Sequence, residues 1–345
     1  MQTDGYGRKL TFRDTSIEDS HAEGRTGVDL KQLTALVTVA DVGSVTKAAR
    51  LLHLVQPAIT RQIRTLEDEL GVALFDRTRQ GMVPTPAGEL LVDRARRVLH
   101  ELERAQAEIR PTPGEVAGIV TVGVLASVID PLVQPLVATV GERHPGVELR
   151  ILTAFSGHLQ QWLDAGDLDL SLLYNLADTP SLAVTPLLEE GLWAVAPPDA
   201  GLHPDDPMSW ESLLEHPLVL PVPGHGLRVL IDRARSSVAV QPRVAVETNS
   251  MHVQKKLVLA GLGWTVLPAI GVASEVCQGL LSGAPLTDPA VSRSVVLGLN
   301  RAKRPSPHVA AVAGELATLT REMVRSGAWP SARLSVVDAA QLHRT

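Results

Sequence analysis

Residues 57–70, PAITRQIRTLEDEL, constrain this chain more than any other stretch. At about 100° per residue, Ile59, Ile63, Leu66 and Leu70 form one apolar stripe about 60° wide. Thr60, Arg61 and Arg64 fall within about 60° of Pro57, on the opposite side. Such a segment packs as a helix with one buried face, and Pro57 suits its first turn, where a missing N–H costs nothing. Upstream, GSVTKAARLL supplies a second helix, with Ser44 as N-cap and Val45, Ala48, Ala49 and Leu52 on its buried side. The three residues HLV make the turn between them. No acid occurs between Asp41 and Glu67, whereas Lys47, Arg50, Arg61 and Arg64 are basic; acids resume at Glu67, Asp68 and Glu69. The front of the second helix therefore faces an anion and its back lies away from it. A helix-turn-helix needs this segregation, because the first turns of its second helix enter the major groove.

The remaining chain sets the context. Its 345 residues predict two or three domains. A net charge of −6 means that nucleic acid must be met by a local basic patch. A lone cysteine, Cys277, rules out an intramolecular disulfide and any Cys-rich zinc site, and suits a reducing cytoplasm. No apolar run reaches the roughly 20 residues of a membrane span, and the polar first 26 residues carry no apolar signal region. The expectation is a polar N-terminal tail on a cytoplasmic protein, with no membrane association.

FDRTRQGMVPTP, residues 75–86, reads as a short extended turn. A helical stretch follows in which Leu91, Ala95, Val98, Leu102, Ala105 and Ile109 are spaced 4, 3, 4, 3 and 4. This a/d pattern predicts a dimerisation helix, although one face packed on its own domain has the same spacing. RPTPGEVAG then breaks the periodicity with Pro and Gly. Beyond it, strand-like runs such as IVTVGVLAS, VELRILTAF, LDLSLLY and LVLPVP alternate with helical ones, which predicts parallel α/β sheets in two lobes. SPHVAAVAGELATLTREMVRSG reads as a closing helix before a polar tail.

Residues 28 to about 85, from VDLKQLTALV through ADVGSVTKAARLLHLVQPAITRQIRTLEDELG to the turn RTRQG, resemble the winged helix-turn-helix of LysR-type transcriptional regulators. The resemblance implies that Gln56, Pro57, Ala58, Thr60, Arg61 and Arg64 face DNA. It implies that Ser44 and Lys47 hold phosphate, and that RTRQG is the wing, with Arg77 and Arg79 near the backbone or minor groove. Val55 departs from the pattern, since many members carry Ser or Ala there. The α/β part resembles the family's periplasmic-binding-protein-like effector domain. SGHLQQWLDAGDLDLSLLY and PVPGHGLR are most similar to the nitrogen assimilation control subgroup.

The expected fold is thus α/β with an N-terminal all-α winged helix-turn-helix. The expected organisation is a polar tail at 1–27, the DNA-binding domain at 28–85 and a linker and dimerisation helix at 86–110. A hinge at 111–117, a two-lobed effector domain at 118–325 and a C-terminal tail at 326–345 complete it. Several strand runs end in polar residues just before a helix: Ser127, Ser156 with His158, Tyr174, His225, and Asn249 with Ser250. Ligands in open α/β sheets bind beyond the carboxyl ends of strands, and helix N-termini there favour anions. These residues are candidate contacts for a small, anionic effector, with Ser127 in the family's commonest contacting position. Ser156, Asn249 and Ser250 equally suit plain N-caps.

The expected function is a sequence-specific transcriptional regulator, a homodimer or homotetramer on double-stranded DNA, responding to that effector. The alternatives are a metabolite-binding protein or an enzyme using the cleft. No P-loop, G-x-S-x-G elbow or H-E-x-x-H pair appears. His144, His158, His225 and His252 lack metal-ligand spacing. The reading therefore assigns no catalytic residue, metal or cofactor.

Overall fold

The computed structural model of this chain describes residues 27–79, 81–109, 116–236, 238, 240–301 and 305–335. The expected N-terminal tail up to residue 26, most of the hinge and residues 336–345 lie outside that set. The chain divides into two compact units between Leu99 and His100.

The first unit contains α1 (Leu30–Val42), α2 (Val45–Leu51), α3 (Gln56–Leu70), β1 (Phe75–Thr78), β2 (Gly81–Pro84) and the first half of α4 (Pro86–Ile109). Asp29 and Gln32 form a reciprocal capping box at the start of α1, with bonds of 2.8 and 2.7 Å. Ser44 caps α2 by accepting from the Lys47 amide, as expected. Ile59, Ile63 and Leu66 of α3 are buried against Leu36, Val39 and Ala48. Burial of each such aliphatic group is worth about 1.5–3 kcal/mol, enough to fix the face on which α3 packs. Leu70, expected in the same stripe, is exposed instead, because α3 ends there at left-handed Gly71.

The turn after α3 is a two-stranded hairpin, with Phe75 opposite Pro84 and Thr78 opposite Gly81. The unit therefore carries a short β element that the all-α reading lacked. Gly81 has φ +123°, and a Cβ there would lie 2.3 Å from the Gly43 carbonyl. That close approach lets the Met82 amide bond Gly43, tying the hairpin to the α1–α2 turn. The Leu91 and Ala95 positions of the expected seam pack in this unit's core with Val92 and Leu99. Val98 and Leu102, one and two turns on, are exposed. The side chain of Ile109 lies outside the described residues.

The second unit runs through β3 (Ala117–Leu125), α5 (Ile129–Arg143), β4 (Gly146–Ala154), α6 (Ser156–Ala165), β5 (Leu170–Tyr174) and β6 (Leu182–Ala196). It continues with β7 (Met208–Ser209), α7 (Trp210–Leu214), β8 (Pro217–Pro221), α8 (Gly226–Arg235), β9 (Arg243–Thr248) and α9 (Met251–Leu259). Last come β10 (Thr265–Pro268), α10 (Ala273–Cys277), β11 (Ser282–Thr287), β12 (Ser292–Asn300), α11 (Pro307–Arg325) and β13 (Ala332–Leu334). Two cores form two lobes. One gathers β3, β5, α5, α6 and α11 around residues such as Val122, Leu136, Leu172 and Leu316. The other gathers β8, β10, α7 and α8 around Trp210, Leu220, Ile231 and Val266.

The expected parallel sheets are parallel only in part. β3 pairs parallel with β4 and β5, and β8 with β9, but β12 runs antiparallel to β5 and β6, and β6 antiparallel to β10 and β11. A mostly buried strand has the same apolar run in either orientation, so its direction is set by the chain's return path and not by composition. β6 is 15 residues long and passes from one lobe into the other. Residues 327–335, expected as tail, fold back here: β13 pairs with β6 beside Glu190, and Trp329 is buried.

Candidate functional site

The first unit presents a cationic surface. Lys47, Gln56, Pro57, Arg61, Arg64, Arg77 and Arg79 are exposed, with Ser44, Ala58 and Thr60 partly so. Gln80, within the expected wing, lies outside the described residues. Among the described residues no ion pair engages Lys47, Arg50, Arg61, Arg64, Arg77 or Arg79. Two of the unit's acids are occupied within the fold. Asp41 pairs with Arg96, and the Glu67 carboxylate accepts from the Leu74 and Phe75 amides at 2.8 and 3.3 Å. Glu67 thereby anchors the start of β1 to the far end of α3, a structural use that leaves the front of α3 without negative charge. Thr60 spends its hydroxyl proton on the Gln56 carbonyl, at 3.1 Å.

The second unit encloses a cavity of about 810 Å³ between its lobes. That is within the size range of metabolite pockets. Its walls come from the carboxyl ends of strands, as the sequence reading expects: Ser127 after β3, Phe155 and Ser156 after β4, Tyr174 ending β5, His225 after β8, and Asn249 after β9. His158 also lines it. Ser250 does not; it lines a neighbouring cavity of about 590 Å³ together with Asp130, Trp162 and Lys255. Of the three expected caps only Ser250 acts as one, accepting from the Val253 amide. Ser156 sits inside the first turn of α6, where its hydroxyl accepts from the Tyr174 backbone at 2.9 Å and so links the ends of β4 and β5. Asn249 precedes the Ser250 cap.

The charge centre of the cavity was missed in the sequence. Arg293 and Glu190 face each other across the β12–β6 ladder, 5% and 0% exposed, with Arg293 Nε donating to Glu190 at 2.6 Å. Trp329 Nε1 donates to the second Glu190 oxygen at 2.8 Å. The Arg293 guanidinium lies 3.4 Å from the centre of the Tyr174 ring and donates to Ser127 Oγ, which is itself 2.5 Å from the Tyr174 hydroxyl. Burial pushes the Tyr174 phenol well above its ordinary range, with Arg293 opposing the shift. Tyr174 is therefore a neutral donor or acceptor at any physiological pH. The trace of this network in the sequence is Glu190 and Arg293, each at the start of an apolar strand run, EEGLWAVA and SRSVVLGLN.

Two rings meet across the cleft. Phe155 from the first lobe stands edge-on to His225 from the second, with centroids 4.4 Å apart. His225 caps α8, its Nδ1 accepting from the Leu227 amide at 3.1 Å, so its proton resides on Nε2. Burial, and then the charge of Arg293, lower its pKa from 6.5. The unfolded chain therefore takes up this proton first as pH falls, and the contribution of His225 to stability is lost below about pH 6.5. His225→Asn keeps a cap acceptor and removes the titration. Melting of this variant should fall less between pH 7 and pH 5 than that of the parent; parallel melting curves for the two would contradict the assignment.

Residues 113–321 match the LysR substrate binding domain, and residues 30–89 match the bacterial regulatory helix-turn-helix protein, lysR family. The chain belongs to the LysR family. It is 30% identical over 303 residues to the HTH-type transcriptional regulator BbuR of Bordetella bronchiseptica, covering 88% of this chain and 93% of that protein. It is also 30% identical over 288 residues to the nitrogen assimilation regulatory protein nac of Klebsiella aerogenes, covering 83% and 93%. Among solved structures, full-length OxyR C199D from Pseudomonas aeruginosa superposes with a TM-score of 0.60 at 26% identity, over 86% of this chain and 98% of that one. CbnR complexed with its target DNA has the same fold, with a TM-score of 0.67 at 21% identity over 85% and 99%. This LysR protein is thus a transcriptional regulator with a DNA-binding and an effector-binding part. Among its described residues no helix is long and apolar enough to cross a membrane.

Proposed function

We propose that this LysR regulator reads DNA with the first two turns of α3, holds phosphate with Ser44, Lys47 and the wing arginines, and works in the cytoplasm without catalytic activity. The observation that supports the DNA reading best is the cationic surface, which has no ion pair among the described residues, while Asp41 and Glu67 are engaged in the fold. Phosphate contacts position a protein and base-edge contacts specify sequence. Gln56→Ala should cost about 1–3 kcal/mol on the preferred site and relax one base position per half-site. Lys47→Ala should weaken all DNA alike and flatten the salt dependence by about one unit of slope per subunit. Gel-shifts on a selected site, a point variant and random duplex, at several salt concentrations, separate these. Equal loss on all three for Gln56→Ala would leave Gln56 a backbone contact.

The cleft is proposed to bind a small metabolite with an apolar body. Arg293 is neutralised by Glu190, so the floor offers hydrogen bonds from Ser127, Tyr174 and His225 but no free cation. An anionic end fits the N-termini of α6 and α8, where Ser156 and His225 line the cavity, and Arg233 farther along α8, which lines it with no ion pair among the described residues. Among the described residues no histidine or carboxylate bonds Ser127, so none of them activates it as a nucleophile. A thermal-shift panel of aromatic and aliphatic carboxylates with their neutral amides tests the class. Stabilisation by acids and not by amides is expected; no shift by any acid at millimolar concentration would exclude it.

A further inference from the structure

At the end of α2 and in the turn before α3 three aliphatic side chains stand in solvent: Leu51, Leu54 and Val55, the last 69% exposed. Val55 holds the N-cap position of α3 in extended conformation, and its side chain makes no capping bond. The two preceding helices use Asp29 and Ser44 at the same position, each accepting a backbone N–H. A polar cap stabilises a helix and an exposed isopropyl group does not, so neither stability nor solubility explains Val55. Its chain neighbours include Arg50, His53 and Gln56, inside the segment from residue 42 to 66 that holds no acid. The surroundings thus favour an anionic partner that also carries an apolar feature. In the major groove the apolar feature is the C5-methyl group of thymine.

We propose that Val55 is a specificity-determining residue that packs on one thymine methyl per half-site, with Leu54 flanking it. This rests on α3 being the base reader, since the N-terminal residues of a recognition helix are those that meet base edges. It adds a contact that reads shape and apolarity where Gln56 reads hydrogen bonds.

The full-length protein is first used to enrich its site from a randomised duplex library. Each thymine of the enriched site is then replaced singly by deoxyuridine, which removes the methyl and nothing else. Binding is measured for the parent, Val55→Ala and Val55→Ser. At one thymine per half-site the replacement should weaken the parent about fourfold, the value of one buried methyl-sized group. Both variants should bind thymine and uracil there equally, while other thymines behave alike in all three proteins. Val55→Ser supplies a cap and should melt no lower than the parent, so loss of folding does not confuse the result. If no thymine shows a uracil penalty that depends on residue 55, Val55 does not read a methyl group and the inference fails. If the protein enriches no sequence, the reading of α3 as base reader fails first and takes this inference with it.

Discussion

Glu190→Leu is expected to lower the melting temperature of the second unit by roughly 10 °C. The substitution leaves the Arg293 guanidinium buried with no counter-ion and removes the acceptor of Trp329. Breaking one side of a buried pair costs about 3–5 kcal/mol, and a unit of this size melts about 2–4 °C lower for each kcal/mol. The informative control is Glu190→Leu with Arg293→Met. Replacing both charges by apolar groups removes the unpaired charge, so the double variant should regain most of the loss. Calorimetry of the full chain resolves this unit's transition. A single variant that melts within about 2 °C of the parent would mean that water reaches Arg293 and that the pair does not organise the cleft floor.

The second large effect concerns assembly. Val98 and Leu102 of α4 are 48% and 36% exposed, while Val92 and Ala95 one turn earlier are buried in their own unit. An apolar stripe that leaves its own core and continues into solvent suits a second copy of the same helix. Leu102→Glu would place two carboxylates in that seam, a cost no apolar interface tolerates. Sedimentation should show monomers, and affinity for a duplex with two half-sites should drop by about 10²–10⁴ through loss of avidity. Circular dichroism should stay unchanged. A variant that remains dimeric would move the self-association surface away from α4.

These two predictions differ in where their residues became visible. The α4 pattern could be read from spacing, but spacing alone assigned Leu91 and Ala95 to the seam with Leu102. A stripe of constant period does not record which neighbour covers each turn, and here the first turns face the unit's own core. Arg293 and Glu190 left almost no trace, because two charges 103 residues apart gain meaning only when antiparallel pairing sets them opposite each other. The same holds for Phe155 and His225, which belong to different lobes and meet only across the cleft.

Local signals carried the front of the chain. Ser44 as cap and the stripe of Ile59, Ile63 and Leu66 depend on residues within a turn or two of one another, and so does the acid-free segment before Glu67. Nearest-neighbour geometry is enough to fix them, and with them the class of the protein. The strand ends that would bear a pocket were also legible, because polar residues closing apolar runs mark where strands stop. The direction of β6 and β12, the return of Trp329 to β6 and the pairing that neutralises Arg293 were decided by the tertiary structure alone. The physical reason is burial: a charge in an apolar strand is stable only beside its partner, and only the folded chain determines which partner that is.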